Sequence, residues 1–217
     1  MRCIVISDCH GSPHLITNAL RHSSYNPKSD RLIFAGDIVD IGFDAGKCID
    51  ILLKNNAELL WGNHDLAIIL NKQISPQNKF DSEIRNRIIK ISNLFKVAAM
   101  HDEVLITHAG LSQTFYDYYY RGGDIVKWLN NNISLKKELW QGDSPLWYRP
   151  VTSNKPEAMP QVAGHTPPGW IERSGFKLND FYTVDPYCRE NFGPDRYRYA
   201  IIQDNKVQVI DSNDGVD

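Results

Sequence analysis

The stretch "WGNHDL", residues 61 to 66, sets Asn63, His64 and Asp65 behind a glycine at the end of an apolar run. Four other short stretches are built the same way: Asp8-Cys9-His10, "GDIVD" (36–40), "HAG" (108–110) and "GHT" (164–166). Carboxylate and amide oxygens together with imidazole nitrogens are the ligand types that hold divalent cations such as manganese, iron or zinc. Each stretch alone is weak, because Asp and Asn populate turns for purely local reasons. Found in sequence along one chain, each after an apolar run, they are clusters of polar, potentially metal-binding residues whose joint signal is stronger than any one of them.

The elements that must carry them follow from periodicity. "RCIVIS", "RLIFAG" and "AELLW" are apolar runs of strand length, and each stops just before one of the polar clusters. Between them, "SPHLITNALRH" has Ser12 placed as an N-cap with Pro13 at the first helical position, and "AGKCIDILLKN" has helical spacing with Asp44 as its cap. "FDSEIRNRIIKISNLF" sets Ile84, Ile88, Ile91 and Phe95 on one helical stripe. "KVAAMHDEVLITHAG" predicts a hairpin turning at His101-Asp102, and residues 111–140 are mostly helical, with Asp124 capping "IVKWLNNN". The last third turns to strands: "MPQVAGHT", "GWIERSGFKLNDFYTVD", and a hairpin in "RYRYAIIQDNKVQVID" turning at Asp204-Asn205. The expectation is an α/β fold in which two mixed β-sheets pack as a central sandwich flanked by helices, as a single domain over 1–217, with the site at strand ends.

Bulk properties narrow the partners. With 217 residues, 42% of them apolar, the chain can fill one sizeable core. A net charge of -2 and a pI near 6.4 provide no basic surplus for nucleic acid or anionic membranes. The apolar run at the start is too short for a signal peptide or a membrane span, and Cys3, Cys9, Cys48 and Cys188 are scattered. A cytoplasmic protein with reduced thiols is expected; the oligomeric state is left open.

The ordered set of motifs resembles the calcineurin-like metallophosphoesterases over residues 4 to about 166. The resemblance implies a two-metal hydrolase in which a metal-activated hydroxide attacks phosphorus. Asp8, His10 and a bridging Asp37 would hold the first ion, and Asp37, Asn63, His108 and His165 the second. Manganese is the first choice of metal, with iron or zinc as alternatives. His64 would stay off the metals and assist the leaving group, oriented by Asp40, while Arg149 and Asn63 would face the substrate phosphate. Asp65 either holds the loop or caps the next helix.

Within that superfamily, "GHTPP" places Thr166 where many phosphodiesterases have a second His, which resembles the phosphoprotein-phosphatase branch. "VDIGFDAGKCIDIL" lines up with that branch's Val-Asp-Arg-Gly stretch, except that Ile41 stands where it has Arg; "SPLWYRP" resembles the segment delivering a phosphate-binding Arg. Three readings follow. The first is a phosphomonoesterase of serine/threonine phosphatase type acting on phosphorylated protein. The second is a diadenosine tetraphosphate hydrolase acting on a nucleotide. The third is a silent module that binds phosphorylated partners.

Plainer roles stand beside these. Arg149 can stack on an aromatic ring, "YDYYYRGGD" can be helix packing rather than a base-stacking surface, and Asp40 can be an ordinary loop carboxylate. His14, His22 and His101 fit no motif. Arg189, Arg196 and Arg198 belong to a solvated edge, or one of them replaces the guanidinium missing at position 41.

Overall fold

A computed structural model describes the chain except residues 75–81, 133–137, 152–155, 157, 174–179, 187–193 and 213–217. Two sheets carry the fold. β1 (Cys3–Ile6), β2 (Arg31–Phe34), β3 (Glu58–Leu60) and β4 (Phe95–Lys96) run parallel, and β9 (Arg198–Gln203) and β10 (Lys206–Asp211) add an antiparallel pair, giving the order β10-β9-β1-β2-β3-β4. The second sheet is β5-β6-β7-β8, from Ala98–His101, Val104–Thr107, Gln161–Ala163 and Phe181–Thr183.

The strand pleat divides the core between layers. In β1, Cys3 and Val5 join Ile33, Leu60, Ile106 and Val162 between the two sheets, whereas Ile4 and Ile6 join Leu15, Ile16, Ile49 and Leu52 under the helices α1 (Pro13–His22) and α2 (Ala45–Lys54). A strand buried on both faces reads as an unbroken apolar run, which is why "CIVI" shows no alternation. On the outer face of the second sheet, Ile171 packs with Ala109, Tyr148, Ala163 and Phe181. The expected sandwich flanked by helices is therefore the observed one.

Several caps agree with expectation. Asp44 accepts from the Lys47 N–H at 3.2 Å and Asp124 from the Lys127 N–H at 3.0 Å, whereas Ser12 holds its cap position without a side-chain hydrogen bond. The β9–β10 turn falls at Asp204 and Asn205, both left-handed (φ 53 and 60), as a tight right-twisting hairpin requires. Its tip is tied to the β5–β6 turn: the Asn205 N–H donates to Asp102 at 3.0 Å, and the Asn205 side chain accepts from the Glu103 N–H at 3.1 Å.

Two expectations are corrected. The helix Ser82–Ile91 ends before Phe95, which begins β4, pairs with Leu59 and stacks on Trp61 with ring centroids 4.3 Å apart. Phe95 shares an apolar period with the helix but gains more by completing the sheet edge. "GWIER" is not a strand: Pro168 starts a helix (Pro168–Arg173), and among the described residues of that stretch Phe181–Thr183 joins the sheet, while residues 174–179 lie outside them.

Candidate active site

The candidate ligands come from the carboxyl ends of strands in both sheets. Asp8 and His10 follow β1, Asp37 follows β2, and Asn63 opens the helix α3 (Asn63–Leu70) directly after β3; His108 follows β6 and His165 follows β7. Asp8, His10, Asp37, Asp40, Ile41 and His165 all take left-handed φ, between 42 and 70. Such backbone costs about 1–3 kcal/mol at a non-glycine residue. Backbone bonds between the loops hold it in place: Asp8 N–H to Gly36 O at 2.9 Å, His10 N–H to Asp37 O at 3.0 Å and Gly11 N–H to Ile38 O at 2.7 Å.

Glycines let the motifs touch. A Cβ on Gly62 would lie 2.1 Å from Asp37 Oδ1, one on Gly164 2.0 Å from Asp8 Oδ2, and one on Gly36 2.8 Å from His108 Nδ1. Each of these three glycines thus makes room for a candidate ligand from a different motif.

The imidazoles are oriented from behind. His10 Nδ1 lies 2.8 Å from the Val39 carbonyl and His108 Nδ1 2.8 Å from the Ala35 carbonyl. A carbonyl only accepts, so both Nδ1 atoms carry the proton, and in the neutral ring Nε2 presents a lone pair. His10 Nε2 faces Asp37 Oδ2 at 3.6 Å and Asp8 Oδ1 at 3.9 Å; His108 Nε2 faces Asn63 Oδ1 at 2.9 Å and Asp37 Oδ2 at 3.4 Å. Converging acceptors with no donor between them repel, and a cation among them reverses that. Spacings near 3 Å are what ligands about 2.1 Å from one ion at right angles show.

Two buried sets have ligand atoms within 4.8 Å of one another, His10-Asp37-His64 and Asp37-His108-His165, and they share Asp37, as a bridging carboxylate must. His165 makes no ring hydrogen bond among the described residues, and its Nε2 is buried without a partner. The residues present therefore fit two divalent cations.

Electrostatics agree. Burial and then Asp185 hold the Asp8 carboxyl well above its usual value, which marks a carboxylate short of positive charge. Burial pushes His10 down to about 4 and His165 well down too, keeping both imidazoles neutral and able to ligate. Burial also opposes charge on His108, but Asp37 outweighs it and lifts the ring to about 10, so with no cation beside it this ring holds a second proton, at Nε2, in the place a cation would take.

His64 differs from these rings. Its Nδ1 is 2.7 Å from Asp40 Oδ2, both groups are buried, and its ring lies edge-on to His10 at 4.8 Å. Burial pulls its pKa down, yet Asp37 and the bonded Asp40 win and raise it. A protonated imidazole beside the cluster can donate to a departing oxygen.

Asp65 holds the loop. Its Oδ2 accepts the N–H of Asp37 at 2.8 Å and of Gly62 at 3.3 Å, and its Oδ1 those of Ile38 at 2.9 Å and Val39 at 3.4 Å. Arg149 donates to the His165 carbonyl at 3.2 Å and lies 5.6 Å over the Trp170 ring, so it stacks on an aromatic and also borders the last ligand.

Other candidates settle into packing. Arg196 and Arg198 both pair with Asp211, so the expected solvated edge is a buried ion cluster and neither guanidinium replaces the one missing at Ile41; Arg189 and Cys188 lie outside the described residues. In the tyrosine cluster Phe115 is buried, Tyr116 stacks on Tyr120 at 4.6 Å, and Tyr119 donates to Gln141. His22 stacks on Tyr197 and His101 bonds the Met1 carbonyl.

Sequence reasoning missed two residues. Trp147 meets the His165 ring edge-on at 5.9 Å, and Asp185 is the buried carboxylate acting on Asp8. Trp147 sits two residues before Arg149 in the "SPLWYRP" stretch, whereas Asp185 follows a strand with no motif to mark it.

Known proteins resemble this chain in sequence and in fold. A symmetrical bis(5'-nucleosyl)-tetraphosphatase of Actinobacillus pleuropneumoniae serotype 3 is 30% identical over 124 residues, 52% of this chain and 46% of that protein. The chain thus spans about half the length of the curated relatives it matches. The cold-active protein-tyrosine phosphatase of a psychrophilic Shewanella superposes with TM-score 0.68 at 17% identity, over 96% of this chain and 77% of that one. A protein serine/threonine phosphatase of Saccharomyces cerevisiae gives TM-score 0.64 at 16% identity, over 97% and 79%. At those identities the two structures share the fold alone. The sequence profile of the calcineurin-like phosphoesterases matches residues 1–210, and the chain belongs to that family.

Proposed function

We propose that this metal-dependent phosphoesterase cleaves dinucleoside polyphosphates of the diadenosine tetraphosphate kind. The substrate rests on one observation, the 30% identity to symmetrical bis(5'-nucleosyl)-tetraphosphatases over half of the chain. Asp8, His10 and Asp37 would hold one cation and Asp37, Asn63, His108 and His165 the other, with manganese the first candidate and iron or zinc the alternatives. When bound, the pair supplies positive charge for phosphoryl oxygens and a water of lowered pKa. His64, protonated and aimed by Asp40, donates to the leaving phosphate oxygen. Arg149, with Asn63, steadies the phosphate. Free buried Cys3 and Cys48 fit a reducing cytoplasm.

A phosphomonoesterase of serine/threonine type is the second reading, favoured by the guanidinium that "SPLWYRP" brings against the His165 carbonyl. Purified, manganese-loaded protein is offered diadenosine tetraphosphate and a phosphoserine peptide in equal amounts. ADP beside an intact peptide is expected; orthophosphate and dephosphorylated peptide with the nucleotide intact would replace the first reading by the second.

A further inference from the structure

Phe43 is 99% exposed, the most exposed large apolar side chain among the described residues. Exposure of this kind usually marks a loose loop, but the backbone on either side of Phe43 is fastened. The Gly42 N–H donates to the carbonyl of the ligand His10 at 2.8 Å, and the Asp44 N–H donates to Gly11 O at 3.0 Å. Gly11 and Gly42 are in backbone contact: a Cβ on Gly42 would lie 2.5 Å from His10 O, and one on Gly11 2.8 Å from Gly42 O. On its other side Asp44 caps α2. The ring is thus carried on a rigid rim one residue from a segment bonded to the ligand loop, and three residues from Asp40, which orients His64.

Among the described residues nothing packs over this ring. Its neighbour Ile41 is partly buried, and the helix that follows turns Ala45, Cys48, Ile49 and Leu52 inward. A polar residue would serve the loop equally well, and would keep the apolar surface out of water. An aromatic side chain with two torsions on a fixed backbone is, by contrast, an inexpensive surface for stacking a flat ring.

We infer that Phe43 is a specificity residue, the stacking platform for a nucleobase of the substrate, while the cations and Arg149 take the phosphates. The inference rests on the nucleotide reading above and gives that reading a recognition element this chain supplies itself. It makes Phe43 a residue that discriminates among phosphate compounds by whether they carry an aromatic ring, without touching the reacting atoms.

The test is calorimetric binding of ADP and of pyrophosphate to the manganese-loaded full chain, in wild type, Phe43→Ala and Phe43→Trp. Loss of one base-stacking contact weakens binding about tenfold or more. Phe43→Ala is expected to weaken ADP binding by about tenfold and to move pyrophosphate binding less than twofold, with Phe43→Trp restoring the ADP affinity. Equal loss for both ligands would mean a damaged loop and overturn the inference, as would an ADP affinity unchanged in Phe43→Ala or a wild type that binds ADP no better than pyrophosphate. Failure of the substrate reading shows separately, as wild-type protein that leaves diadenosine tetraphosphate intact while dephosphorylating the peptide.

Discussion

His64 Nδ1 and Asp40 Oδ2 lie 2.7 Å apart, from two motifs separated by 24 residues, with both side chains buried. The pair fixes which ring nitrogen faces the cluster. His64→Asn is expected to lower kcat about 10²–10³-fold with KM within threefold, the range for loss of a positioned acid. Asp40→Asn should cost less, because the ring remains. Steady-state kinetics at constant metal loading would measure both, and unchanged kcat in His64→Asn would remove its role as donor.

Asp65 offers a stability test separate from chemistry. Asp65→Ala strands four backbone N–H groups that the carboxylate now serves, those of Asp37, Ile38, Val39 and Gly62. A loss of about 3 kcal/mol in urea unfolding is expected, since each buried donor left unpaired costs about 1–3 kcal/mol and water recovers part of it. A loss under about 1 kcal/mol would mean that the two loops hold their shape unaided.

Gly62 and Gly169 form a matched pair of glycines. Gly62→Ala drives a methyl against the backbone N of Asp37 at 2.2 Å and its Oδ1 at 2.1 Å, whereas a Cβ on Gly169 meets nothing within 4 Å. Gly62→Ala should abolish tight manganese binding in a titration, and Gly169→Ala should leave it unchanged. Gly169→Ala should also keep or slightly raise the melting temperature, as a helical Gly→Ala change tends to do.

Acid should weaken the pairing of β2 with β3 at one identifiable ion pair. Arg31 bonds Glu58 at 2.6 and 3.0 Å between β2 and β3, and this holds the Glu58 carboxyl below its usual value against the effect of burial. A carboxyl lowered on folding contributes stability above its unfolded pKa, near 4.3, and loses it as pH falls through the folded value. Unfolding free energy in wild type should therefore drop more between pH 5 and 3 than in Glu58→Gln. The difference should stay under about 1 kcal/mol, because the pair is partly solvated.

Much of this was legible beforehand for a physical reason. Motif residues behind apolar runs mark strand ends, so Asp8, Asp37, Asn63, His108 and His165 were visible as a set, and the pleat fixed which sheet residues meet. Phe95 was misread because an apolar residue seven places after Ile88 fits a helix stripe as well as a sheet edge. The helix at Pro168 was missed because the fragment "GWIER" is too short to show a period. Left-handed backbone at Asp8, His10 and Ile41 has no signature in residues of those types, and the four donors served by Asp65 become visible only when two loops meet.

The division of ligands between layers has a mechanical consequence. Asp8, His10, Asp37 and Asn63 hang from the six-stranded sheet, while His108 and His165 hang from the four-stranded one. At one margin Asn205 and Asp102 fasten the two sheets tip to tip; at the strand ends that carry the ligands, the cations would be the rivet. Binding to the folded chain alone raises the melting temperature with ion concentration, so stripping metal with a chelator should lower it by several degrees and speed amide exchange first at β6 and β7, with β9 and β10 changing last. Ion supply then governs cohesion as well as turnover, and a chain starved of metal begins to come apart along the seam where it would have done its chemistry.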